Sequence, residues 1–163
     1  MPGWIGHDIK VTVKENIKPI SLPEPCEILA QEVNNDLMRV KTNVQGGMGG
    51  LVEELASLSQ SYQVSALAGF GSNKTGTLAG SITPQSGGNS AHIGTDLYYA
   101  SYVNDGRGGI TAVGKALHFY IGGAEVFTKS VGPAAPRPYV DVSGTLLESS
   151  MDSLVSSYMG SLL

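Results

Sequence analysis

The side chains that could carry chemistry in this chain are few and widely spaced. Three histidines, His7, His92 and His118, stand far apart, and none forms a pair such as H-x-x-x-H that would hold a metal from one helix face. His92 and His118 fall in strand-like runs, where a histidine is ordinarily a satisfied sheet residue. A weak hydrolase reading would use His92 or His118 with Asp105. Glu53-Glu54 reads as the solvated face of a helix, and Asp96 and Asp105 flank an aromatic run where turn formation accounts for them. Gly69-Phe70-Gly71 and Gly106-Arg107-Gly108-Gly109 lack the lysine and following helix of a phosphate loop. Ser81 lacks the strand–serine–helix setting of a nucleophile elbow. The lone Cys26 cannot form an internal disulfide and reads as a small buried hydrophobe in a chain made in a reducing cytoplasm. No residue set argues for an enzyme, and none calls for a metal or cofactor.

The elements that would position these residues follow from periodicity. Ile9, Val11 and Val13 alternate with Asp8, Lys10, Thr12 and Lys14, which predicts a half-buried strand over 8–18. Pro19, Pro23 and Pro25 then lead into a helix over 26–44, whose Cys26, Leu29, Ala30, Val33, Leu37, Val40 and Val44 step by threes and fours. Gly46-Gly47-Met48-Gly49-Gly50 predicts a break or kink, since each glycine costs a helix about 1 kcal/mol relative to alanine. A shorter helix over 51–61 should follow, carried by Leu51, Leu55 and Leu58, and then a loop over 69–76. Thr77 to Ile82 reads as a helical turn or the entry to a strand.

The middle of the chain reads as β-rich: Ala91 to Gly94, then the aromatic Tyr98 to Val103, then a glycine-rich loop from Asn104 to Gly114. Two strand-like runs, 117–121 and 126–131, flank Gly122-Gly123-Ala124-Glu125, a strong hairpin signal. Pro133, Pro136 and Pro138 end the sheet. Leu147, Met151, Leu154, Tyr158 and Leu162 then trace one face of a final helix, capped by Thr145 or Ser143. That helix is expected to pack on the domain's own sheet or, as the alternative, on a neighbouring subunit. The expected fold is a single α+β domain over 1–163, with N-terminal helices and a C-terminal helix packed on a mainly antiparallel β-sheet.

Composition narrows the function classes. The chain has 163 residues, enough for a core without disulfide or metal support. Only 15% of residues are charged, against roughly 25% in ordinary soluble domains, which suits a surface partly covered by partners. The net charge of −4, with no two adjacent basic residues, argues against a nucleic-acid reader. Met1-Pro2-Gly3-Trp4 leads to Asp8 and Lys10 without an apolar stretch, so no export signal is expected. No apolar run approaches the roughly 20 residues of a membrane span.

An ordered series of short motifs adds a resemblance. It comprises Thr75-Gly76-Thr77-Leu78-Ala79-Gly80-Ser81-Ile82, then Ile93-Gly94-Thr95-Asp96-Leu97-Tyr98-Tyr99-Ala100-Ser101-Tyr102-Val103, then Asn104-Asp105-Gly106-Arg107-Gly108. Lys115-Ala116-Leu117-His118-Phe119, Glu125 to Val131 and Pro136-Arg137-Pro138-Tyr139-Val140 complete it. The series, over about 75–145, resembles the small tail-component family of long-tailed bacteriophages, known as tail-completion, neck or head–tail joining proteins. Asp141 to Thr145, the N-terminal strand and the glycine cluster at 46–50 depart from that pattern.

The resemblance implies a virion structural protein in the neck or tail, built as a homo-oligomeric ring, usually a hexamer. It would lie between head connector or portal-side adaptor proteins and the tail tube or tail terminator. DNA would pass through the lumen without sequence-specific binding, and a net acidic wall suits that passage because cationic walls would hold phosphates. A tail-terminator or minor tail protein is the alternative within this class. Outside it stands a prophage-encoded ligand-binding module with a concave apolar pocket. The expected subunit contact is the Asn104–Gly114 loop beside the tyrosines, with Tyr99, Tyr102, Asp105, Arg107 and Arg137 as its residues and the two arginines as ion-pair candidates.

Overall fold

The structure is a computed structural model that describes residues 4–14, 18–19, 21, 27–72 and 75–162; Cys26 and the prolines at 23 and 25 lie outside these residues. The fold is α+β. Helix α1 (Glu27–Gly69) is followed by the single-turn α2 (Thr77–Ser81), α3 (Ala100–Asp105) and the terminal α4 (Tyr139–Leu162). Strands β1 (Ile5–Lys10), β2 (Thr83–Gly87) and β3 (Ser90–Thr95) form an antiparallel sheet of order β1-β3-β2. Two separate two-stranded pairs follow: β4 (Ile110–Thr111) with β7 (Ser130–Val131), and β5 (Leu117–Ile121) with β6 (Ala124–Thr128). The strand material is thus three small sheets.

The expected break at 46–50 does not occur: α1 runs unbroken through all four glycines for 43 residues, about 65 Å at 1.5 Å per residue. Two of them, Gly47 and Gly50, lie on the face that α4 covers. A Cβ on Gly47 would sit 2.5 Å from Leu162 Cδ1, and one on Gly50 would sit 2.1 Å from the Tyr158 hydroxyl. Tyr158 donates to the Gly47 carbonyl at 2.9 Å, Asn43 donates to the Leu162 carbonyl at 3.3 Å, and Tyr62 meets Ser150 at 2.8 Å, so the two helices run antiparallel. Packing energy against α4 outweighs the propensity cost of the glycines, a tertiary gain that local propensity cannot register.

The final helix also differs from expectation. It begins at Tyr139, not near 143–145, and its main partner is α1, not the sheet. Ser143 and Thr145 are therefore inside the helix, bonded to the carbonyls of Val140 (2.8 Å) and Asp141 (3.1 Å). The N-terminal orphan N–H of Val140 is taken by Asn104 Oδ1 at 3.1 Å, a cap supplied from the end of α3.

Strand β1 spans Ile5–Lys10: it starts earlier than the expected 8–18 and its pairing with β3 ends at Lys10↔Ser90, so 11–14 are not strand, while 15–17 of the expected range lie outside the described residues. Pro84 is accommodated in β2, an edge strand. Tyr98 to Val103 is not a strand: two tyrosines form a turn into α3, whose Ala100 and Asn104 are buried. The core joins one face of α1 (Leu51, Val52, Leu55, Ala56, Leu67) to Ile82, Ile93, Tyr139 and Leu147. Gln63, fully buried on that face, donates to the Ile93 carbonyl in β3 at 3.2 Å, and Gln60 to that of Ile82, at the end of α2, at 2.7 Å, so α1 is tied to the sheet and to the segment that enters it.

Candidate functional site

The backbone between α3 and α4 builds a wall. Gly106 has φ +77°, and a Cβ there would lie 2.7 Å from the Ala134 carbonyl oxygen, so only glycine lets the two segments meet. The Arg107 and Ala134 main chains then exchange hydrogen bonds of 3.0 and 2.9 Å. The Arg137 N–H is shared between the Val103 and Asn104 carbonyls, at 3.0 and 3.1 Å. These ties frame an open groove of about 520 Å³, lined by Tyr99, Tyr102, Val103, Arg107, Pro133, Ala134, Ala135 and Arg137.

Four of the five residues expected at a subunit contact therefore line one surface: Tyr99, Tyr102, Arg107 and Arg137. Asp105 does not line the groove; its carboxylate accepts from the Asn104 side chain at 2.7 Å. The buried Tyr139 hydroxyl is pushed up to about 12, by burial first and by the Asp105 charge second. Among the described residues Arg107 Nη1 donates to its neighbour's carbonyl, Gly108, at 3.3 Å, and Arg137 Nη1 donates to Ser72 Oγ at 2.9 Å. Neither guanidinium has a carboxylate partner among the described residues.

The Asn104–Gly114 segment is not one open loop, since Ile110 and Thr111 pair with Val131 and Ser130. Beyond that pairing the β5–β6 hairpin extends as an arm. Gly122 and Gly123, both at positive φ (58° and 84°), form its two-residue turn, as the primed hairpin turns require. One face carries Leu117, Phe119 and Ile121, the other His118, Tyr120 and Phe127. His118 stacks flat on Phe127 at 4.5 Å and pairs with Glu125 at 2.7 Å. Tyr120, Ile121 and Phe127 are 65%, 63% and 65% exposed. The hairpin is legible in the sequence, whereas the exposure of its apolar side chains is a finding of the structure. The available signal was the unbroken run Leu117 to Ile121, apolar or aromatic on both faces where a half-buried strand would alternate.

The histidines and Asp105 are not brought together. His92 pairs with Asp8 across β1 and β3 with Trp4 edge-on at 6.0 Å, while His118 sits on the hairpin with Glu125. His7 lies half-buried between β1 and α4, its Nε2 2.9 Å from Ser143 Oγ. The Ser143 proton is directed to the Val140 carbonyl, so Nε2–H donates to the hydroxyl and the pair tethers two elements. Burial holds His7 below its ordinary value, against smaller opposing contributions from Val140 and nearby carboxylates. Glu53 and Glu54 are exposed, as expected of a solvated face. Among the described residues no three His, Cys, Asp or Glu side chains gather as a metal site, and no helix is long and apolar enough to cross a membrane.

No family model, curated protein or solved structure matches the chain.

Proposed function

We propose that this protein is a virion structural component of a long-tailed bacteriophage, forming a ring at the head–tail junction through which DNA passes. The observation that carries the reading is the projecting β5–β6 arm. An isolated two-stranded hairpin is at best marginally stable in water, yet this one shows aromatic side chains on both faces and, among the described residues, two unpaired edges. Such an element suits a protein whose working form is an assembly. The order of motifs supports the same reading: the Thr-Gly-x-Leu-x-x-Ser-Ile step forms α2 and its exit, and the Arg-Pro-Tyr turn opens the last helix. The chain's net charge of −4 suits a passage for DNA that must not bind it.

The test has two arms. Purified protein should form closed rings in negative stain, and particles made without it should accumulate as full heads beside separate tails. Arg107→Glu should block ring or neck assembly while the circular dichroism and melting of the isolated chain stay unchanged. Fully infectious particles carrying Arg107→Glu would remove the groove from the assembly, and single copies alone in both solution and particle would remove the ring itself.

A further inference from the structure

The groove and the arm complement each other in shape and charge. The groove offers Tyr102, Pro133, Ala134 and Ala135 as an apolar lining and two guanidiniums without a carboxylate partner among the described residues. The arm's end offers Tyr120 and Ile121, largely exposed, with the Glu125 carboxylate directly opposite Tyr120 in the register. That carboxylate is half-exposed, and its only ion-pair partner among the described residues is His118.

Within one copy this match is not made: Glu125 pairs with His118, and neither arginine has a carboxylate partner among the described residues. The base of the hairpin, Leu117 to Phe119, lines a cleft with Arg107 and so begins beside the groove. The five-residue strand then sets its tip, Ile121, about 13 Å from Leu117. We infer that the hairpin tip of one copy seats in the Tyr102–Arg107–Arg137 groove of the next, with Tyr120 and Ile121 buried and Glu125 set against the two arginines. Because the two patches differ, the contact is heterologous, and repeating it closes a ring or extends a filament. This rests on the proposed self-assembly and adds to it the surfaces that meet.

The experiment uses engineered cysteines in the full chain with Cys26→Ser. Ile121→Cys protein and Ala135→Cys protein are each expected to stay uncrosslinked under mild oxidation, and their mixture to give a disulfide-linked dimer. The double variant should give a ladder ending at the full ring on a non-reducing gel. In a second arm, Glu125→Arg and Arg137→Glu should each weaken assembly roughly tenfold or more, about 1.4 kcal/mol. Mixing the two variants sets the reversed tip against the reversed groove and the unaltered tip against the unaltered groove, so unlike copies should associate where like copies do not. Wild-type rings without the mixed disulfide would overturn the hairpin-to-groove contact and leave the ring standing. Wild-type protein that never associates, in concentrated solution or in the particle, would overturn both.

Discussion

The glycine cluster of α1 offers the sharpest test of the fold, because four glycines within five positions meet different surroundings. Gly46 faces open space, with nothing within 4 Å of an added Cβ. Gly46→Ala should therefore show the helix propensity gain alone, about 1 kcal/mol, and raise Tm by about 2–4 °C for a chain of this size. Gly50 is the opposite case. Its added Cβ would lie 2.1 Å from the Tyr158 hydroxyl, which must retreat by more than an ångström to reach ordinary contact. That retreat breaks the 2.9 Å bond from Tyr158 to the Gly47 carbonyl. Loss of the bond costs about 1 kcal/mol and the forced repacking about 1–3 kcal/mol. Set against the propensity gain, Gly50→Ala should come out destabilised by about 1–3 kcal/mol. Tyr158→Phe removes the clashing oxygen and should absorb part of that penalty, giving a coupling of about 1 kcal/mol in a double-mutant cycle. Urea unfolding followed by circular dichroism, at a concentration where the protein is monomeric, measures all four variants. If Gly50→Ala stabilised the chain as much as Gly46→Ala, the close approach of α4 to this face of α1 would be refuted.

Three further outcomes follow from other contacts. Asn104→Ala removes the cap on Val140 and a buried polar group, so it should cost about 1–2 kcal/mol in urea unfolding; an unchanged midpoint would show that water caps α4 equally well. His7 is held below its ordinary 6.5 by burial, so the unfolded chain takes up the proton first. Its contribution to stability is therefore complete above pH 6.5 and lost as pH falls through the depressed folded value. Between pH 7.5 and 5.5 the wild type should lose more stability than His7→Gln, and parallel curves would place His7 in water. Gly106→Ala puts a Cβ at positive φ and 2.7 Å from the Ala134 carbonyl; a loss of about 2 kcal/mol or more is expected, read as a lower melting temperature.

Periodicity carried much of the secondary structure in readable form. The threes and fours of Leu147 to Leu162 give α4, the doubled glycine between two apolar runs gives the β5–β6 hairpin, and the α+β class follows from their sum. All of these are signals within a few residues of one another, where backbone geometry and side-chain period act directly. The same local reasoning placed the tyrosines and arginines near one another but sent Asp105 with them, because adjacency in sequence does not say which way a short helix turns its side chains.

What tertiary structure alone decided lies in contacts between distant positions. The continuity of α1 across Gly46–Gly50 depends on Tyr158 and Leu162, more than a hundred residues away in the chain. Helix propensity counts only the backbone cost of a glycine, whereas a bare helix face gains its value from the partner that fills it. The start of α4 was likewise set by Asn104, a cap from another helix that no pattern around 139–145 could reveal. The assembly of Tyr99, Tyr102, Arg107 and Arg137 into one groove was decided by the Arg107–Ala134 pairing across Gly106, which joins two segments that are separate in sequence.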